Sequence, residues 1–192
     1  MQYATTINGE TVYLSDTPVR MFDDAGIEVG VGTIDETVAQ GLWCRSVHAW
    51  IINKKGELYL QQRSMHVVNN PGKWSESAGG YVDGTATDIE TAATEIKEEL
   101  GLDIDPARFE KIGLVRQQEI RYDGKTGKQF VSVFIIEYDF ENAQPHLSEQ
   151  DVKNTMKIHW REFADKLQKG EIDFVDHKEE IELVLSEIAK RY

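Results

Sequence analysis

Cysteine is almost absent from this sequence: Cys44 stands alone among 192 residues. An intrachain disulfide is therefore impossible, and no thiol cluster is available to hold zinc. Basic residues are also scarce, 21 against 34 acidic ones, which gives a formal charge of −13. Such a surface is poorly suited to hold a nucleic acid backbone through counterion release, so no nucleic acid partner is expected. A small phosphorylated ligand is still allowed, because a metal ion can supply the positive charge that the side chains lack. Long apolar runs are missing too. The longest stretch of bulky apolar residues, VFII at 133–136, is far short of a membrane span. The opening MQYATTINGETVYLSDTPVR has no basic head followed by an apolar run. Neither a secretory signal nor a membrane partner is expected, and the expected location is cytoplasmic.

What is present suits one folded unit. The chain is 40% hydrophobic and 29% charged, enough to build a core. Residues 3–14 read as two β-prone runs around Asn8-Gly9, a hairpin signal, and residues 19–34 as an extended stretch bent at Asp24-Ala25-Gly26. DETVAQG at 35–41 predicts a short helix stopped by Gly41. Strands are expected at 46–53, 57–64, roughly 109–121 and 129–139. Two helices are expected to close the chain, around 162–169 and at 176–192. Strands early and late with helices between them predict an α/β sandwich around a mixed sheet. The expected division is an N-terminal β-rich extension over 1–42 packed on a core of 43–192. Its hairpin is free either to pair with a second subunit, making a homodimer, or to cover a sheet edge.

The chemistry is concentrated in SAGGYVDGTATDIETAATEIKEELGLDID, residues 77–105. Thr87 and Glu90 have capping-box spacing, so a helix should begin near residue 88, and Gly101 is placed to end it. Ile89, Ala92, Ala93, Ile96 and Leu100 fall on one face, which is core. Glu95 and Glu99 are one turn apart on another face with Glu98 beside them, expected to point away from the core. Like charges at that spacing cost about 0.2–0.5 kcal/mol per pair. Gly79-Gly80 lets backbone approach closely and can aim a carbonyl oxygen at the same point. Carboxylate oxygens with a backbone carbonyl are what Mg²⁺ or Mn²⁺ prefers, whereas a solvated acidic helix would need no ion.

This segment resembles the Nudix box, G-x5-E-x7-R-E-U-x-E-E-x-G-U, where U is a bulky apolar residue. Gly80, Glu95, Ile96, Glu98, Glu99, Gly101 and Leu102 stand at its positions. HAWIINKKGELYLQQRS, NNPGKWSESAGGYVDG and VSVFIIEY resemble the strands and loop around the box, so the likeness spans roughly 45 to 165. It is nearest the branch that includes isopentenyl-diphosphate isomerase and its hydrolase relatives. Two positions depart: Ala86 replaces the box glutamate and Thr94 the box arginine. These losses have opposite sign, so no buried ion need be left unpaired.

The resemblance implies a Nudix-type α/β/α sandwich and hydrolysis of a nucleoside diphosphate linked to another group, with Mg²⁺ or Mn²⁺ as cofactor. It assigns Glu98, Glu99 and the Gly79 carbonyl to metal, and Glu95 either to metal or to the proton of the attacking water. Arg63 would contact phosphate or be a plain surface arginine, and Arg45 and Lys73 carry the same two readings. A further carboxylate from a later loop is left open among Glu119, Asp151 and position 154, which is Asn154. Trp74 reads as a buried loop anchor rather than a base-stacking group, and His48 as a packed histidine. His66, His146, His159 and His177 share no metal-binding spacing. An isomerase would need a cysteine and a histidine where Gly79 and Tyr81 stand. A Nudix-fold binding protein with weak catalysis is the alternative that Ala86 and Thr94 favour.

Overall fold

The structure is a computed structural model. It describes every residue except Met1, Asn8, Gly9, Asn142 and Gln144, and describes only the backbone over 2–15. Its strands are β1 (Gln2–Ile7), β2 (Glu10–Ser15), β3 (Val19–Phe22), β4 (Glu28–Gly32), β5 (Trp43–Ile52), β6 (Glu57–Arg63), β7 (Trp74–Ser75), β8 (Ala78–Tyr81), β9 (Phe109–Ile120), β10 (Thr126–Glu137) and β11 (Val152–His159). Its helices are α1 (Ile34–Ala39), α2 (Asp88–Leu100), α3 (Trp160–Lys169) and α4 (Lys178–Ala189).

The backbone of the main sheet runs β11-β6-β5-β10-β9, with β8 and β3 added on β5, β7 on β6 and β4 on β3. Among the described strands of this sheet the β5–β10 pair is parallel and the others antiparallel, so the sheet is mixed. Strand alternation sorts the apolar residues to its two faces. Val47, Ala49 and Ile51 of β5 and Phe134 and Ile136 of β10 join Ala92, Ile96 and Leu100 of α2. Trp50, Ile52, Val131, Val133 and Ile135 face the other way, toward Phe163 of α3 and Val184 and Ile188 of α4. Two apolar layers thus hold helices on both faces, as the sequence predicts.

β1 and β2 pair antiparallel, with Ile7 opposite Glu10; the expected Asn8-Gly9 turn lies outside the described residues. Within 1–42, β3 joins the main sheet through Phe22 opposite Trp43. That part of the extension is continuous with the core sheet. Three strands depart from the sequence reading. β11 has a polar burial pattern and a register shift between Val152 and Asn154, as suits an outer strand. β7 is only two residues long. β8 is the glycine stretch itself, to which the sequence reading assigns no strand; it pairs with β5, with Gly79 opposite His48 and Gly80 opposite Val47.

The capping box forms on α2: the Thr87 N–H donates to Glu90 Oε2 at 2.9 Å and the Glu90 N–H to Thr87 Oγ1 at 3.3 Å. Gly101 ends the helix at φ +67, and a Cβ there would meet the backbone of His146 at 2.9 Å. Gly101→Ala must both adopt a left-handed conformation and displace that loop. It should lower the unfolding free energy by at least about 1–2 kcal/mol, the left-handed cost alone. Urea denaturation checks this, and an unchanged midpoint would show that the cap does not constrain the helix.

Candidate functional site

α2 is anchored at its first residue and presents its acids near its last. Asp88 forms ion pairs with Arg45 and with Lys111 Nζ at 3.0 Å, and accepts from Ser132 Oγ at 2.6 Å. These groups fasten the helix to β5, β9 and β10. Arg45 is therefore committed to a structural pair and does not line the cleft described below. Lys73 also lies off the cleft, 3.8 Å from Asp173. Trp74 packs against the core on the α3/α4 side. Its N–H is tied to the Asp173 carbonyl at 2.8 Å.

The three glutamates differ in surroundings. Glu98 is exposed, Glu95 is partly buried, and Glu99 is only 8% exposed. Glu99 thus corrects the expectation that all three point away from the packed interior. Its Oε2 accepts from Gln61 Nε2 at 3.1 Å and from the Gly79 N–H at 3.2 Å. Burial, with Glu95 and Asp151 adding repulsion, holds the Glu99 carboxyl well above the usual range, although Arg63 and the Gly79 amide oppose the shift. Burial likewise pushes Glu95 up to about 7, helped by Glu98 and Asp151. Of the later-loop candidates, Asp151 is the one whose charge acts on both Glu95 and Glu99. Its backbone carbonyl accepts from the Ser64 N–H at 2.8 Å, and its Oδ2 from Ser148 Oγ at 2.6 Å. Asn154 lies on β11 opposite Gln62.

Gly79 and Gly80 make this arrangement possible. A Cβ on Gly80 would run into the Glu95 carboxyl, and one on Gly79 would lie 2.9 Å from both Glu76 Oε1 and His48 Cδ2. Bare backbone thus separates two groups of ionisable side chains. The second group was not visible as a set in the sequence. His48 Nδ1 lies 2.7 Å from Glu180 Oε2 and its Nε2 lies 3.4 Å from Glu76 Oε1. The His177 ring stacks on it at 5.2 Å. Trp50 Nε1 donates to Glu180 Oε1 at 2.8 Å. Burial works against charge on His48, but Glu180 and Glu76 outweigh it and push the imidazole up to about 9. His48 is packed, as expected, and is also the centre of a polar network. These residues come from β5, the β7–β8 segment and α4, which is why spacing along the chain conceals them.

A cleft of about 240 Å³ lies against the second group. Arg63, Glu119, Arg121 and Asp151 line it, together with His48, Glu76, His177, Gly79 and Gly80; Glu95, Glu98 and Glu99 do not. The Arg63 Nε donates to the Asn69 carbonyl at 3.1 Å. Glu119 pairs with Asn70 across the cleft. Of the two departures, Ala86 is half-buried against the α2-side core and Thr94 is exposed. Cys44 is buried on β5 with its thiol pushed up to about 12 by desolvation, so it cannot serve as a ready thiolate.

The architecture is an α/β sandwich with a capped helix of three glutamates beside a glycine strand. The sequence profile of the NUDIX domain matches residues 42–177, and the chain belongs to the Nudix family. It is 27% identical over 146 residues to Nudix hydrolase 3 of Arabidopsis thaliana, a match covering 74% of this chain and 19% of that protein. This chain thus spans about a fifth of that relative's length. Among solved structures, a Deinococcus radiodurans protein shares the fold with a TM-score of 0.66 at 19% identity, covering 91% of this chain and 99% of that one. The Nudix domain of NrtR from Shewanella oneidensis, solved in complex with ADP ribose, has a TM-score of 0.54 at 19% identity. That match covers 75% of this chain and 87% of the domain.

The Glu95 shift has a definite sign. A carboxyl whose folded pKa is raised from about 4.5 to about 7 contributes stability that is complete below 4.5 and lost as pH rises through 7. Metal-free protein should therefore lose stability between pH 5 and pH 8, and Glu95→Gln should remove part of that slope. At pH 8 the variant should melt above the parent, by roughly 2–4 °C for each kcal/mol relieved. Parallel pH–melting curves for the two proteins would contradict this.

Proposed function

We propose that this chain is a divalent-metal-dependent pyrophosphohydrolase acting on a nucleoside diphosphate-X or a similar small diphosphate. The observation that supports it most is the grouping of Glu95, Glu99 and Asp151, in which burial and then repulsion raise Glu95 and Glu99, beside bare backbone at Gly79-Gly80. The donor set fits Mg²⁺ or Mn²⁺, because it is made of hard oxygens whose mutual repulsion a cation would relieve. Glu98, Glu99 and the Gly79 carbonyl would hold the ion. What a divalent cation supplies when bound is neutralised pyrophosphate oxygens and an acidified water.

The chain's own groups do the rest. Glu95 can accept a proton near neutral pH, as a general base requires, and it remains close enough to the ion site to act as a ligand instead. Arg63, which lines the cleft, would orient phosphate oxygens. ADP ribose, held by the Shewanella NrtR domain on this fold, has the nucleoside diphosphate-X form. A hydrolysis screen over nucleotide sugars, dinucleoside polyphosphates, nucleoside triphosphates and prenyl diphosphates, with and without Mg²⁺ or Mn²⁺, identifies the substrate.

Glu99→Gln is nearly isosteric and keeps an oxygen that can accept the Gly79 or Gln61 hydrogen bond, so the fold should persist. Metal-dependent turnover should nevertheless fall by at least roughly two orders of magnitude, the scale of losing one preorganised electrostatic group. Parent-like turnover by the folded variant would overturn the assignment.

A further inference from the structure

A second set of ligand-type groups lies on the other side of the glycine strand, and the hydrolase reading uses none of them. His48, His177 and Glu180 each offer one atom to a cluster whose members lie within 4.8 Å of one another. His177 Nδ1 is 3.8 Å from Glu180 Oε2 and 4.0 Å from Glu76 Oε2. These spacings are too long for hydrogen bonds and near those of ligands sharing one ion. Donors at 2.0–2.1 Å around a tetrahedral ion sit about 3.3–3.5 Å apart. The hydrogen-bonded 2.7 Å between His48 and Glu180 would have to open by about 0.6–0.8 Å, a small side-chain adjustment.

An independent feature points the same way. Glu76 is 3% exposed, and its Oε2 has no hydrogen-bond partner among the described residues; the same is true of the buried His177 Nδ1. An unpaired carboxylate oxygen and an unpaired imidazole nitrogen, both buried and facing one point, carry a desolvation cost that a shared cation would offset. Glu180 is already oriented by Trp50 Nε1 on its other oxygen, the outer hydrogen bond that typically fixes a metal-binding carboxylate.

We propose that His48, His177 and Glu180, with Glu76 as the fourth donor, form a separate transition-metal site on the inner wall of the cleft. Two imidazoles and two carboxylates suit Zn²⁺ or Co²⁺ rather than Mg²⁺, whose preference is for all-oxygen sites. The site is chemically distinct from the helix carboxylates and separated from them by Gly79-Gly80. His48, Glu76 and His177 line the cleft, so an ion there would face any molecule bound in it. The inference does not depend on the hydrolase reading.

Metal-free full-length protein, held in excess Mg²⁺ to occupy oxygen-rich sites, is titrated with Co²⁺ and followed by visible absorption. One equivalent should bind with the bands of a nitrogen- and oxygen-ligated ion, and one equivalent of Zn²⁺ should abolish them. Glu99→Gln should leave that signal unchanged, whereas His177→Ala should weaken binding at least tenfold. His177 makes no capping hydrogen bond on α4, so this change spares the helix start. Glu180→Gln provides a second test that keeps the shape of the side chain. Absence of stoichiometric Co²⁺ binding, or binding that both variants retain, would overturn the site.

Discussion

The close approach of side chains to bare backbone at Gly79-Gly80 is the constraint on which the rest of the architecture turns. Any side chain at these positions would strike Glu95 on one side, or crowd His48 and Glu76 on the other. With none there, a single strand paired to β5 can carry an amide to Glu99 while leaving room for ionisable groups on both sides. The costs of this arrangement are electrostatic. Burial and neighbouring carboxylates raise the carboxyls of Glu95 and Glu99, and Glu76 is buried without a full set of partners. Such crowding is what a site for cations looks like before the cation's charge is counted.

The surrounding fold makes that crowding tolerable. α2 is capped at Thr87, fastened at Asp88 by Arg45, Lys111 and Ser132, and stopped at Gly101. Its apolar face, with Ala92, Ile96 and Leu100 fully buried, packs on β5 and β10. Two fixed ends and a buried stripe let the helix hold repelling carboxylates without shifting. On the opposite layer α4 does similar work: Val184 and Ile188 bury its apolar face, and Glu180 is carried into the interior to meet His48 and Trp50. Rigid elements position both groups, and Gly79-Gly80 lies between them.

Much of this was legible because its signals are local. The capping box, the stop at Gly101, the apolar stripe of α2 and the strand signals of β5 and β10 each lie within a short segment, and each appears where the sequence places it. The Nudix motif also lies in one segment, and family membership follows from it directly. Features assembled from distant segments were not legible. His48 and Glu180 are 132 residues apart and meet only through the packing of α4 on the sheet. Asp151 could not be separated from Glu119 and Asn154 by counting, since the register shift in β11 defeats a fixed offset. Arg45 looked available for phosphate until its pairing with Asp88 was apparent. β8 was hidden because glycine is a weak strand former, and here backbone clearance outweighs that propensity.

The central claim is that the acids around Gly79-Gly80 are arranged to take a hard divalent cation. Electron paramagnetic resonance of Mn²⁺ added to metal-free protein at pH 8 tests it most directly. The account predicts that the six-line signal of free Mn²⁺ is quenched in proportion to protein and restored by excess Mg²⁺. A free-ion signal undiminished by the protein would contradict it.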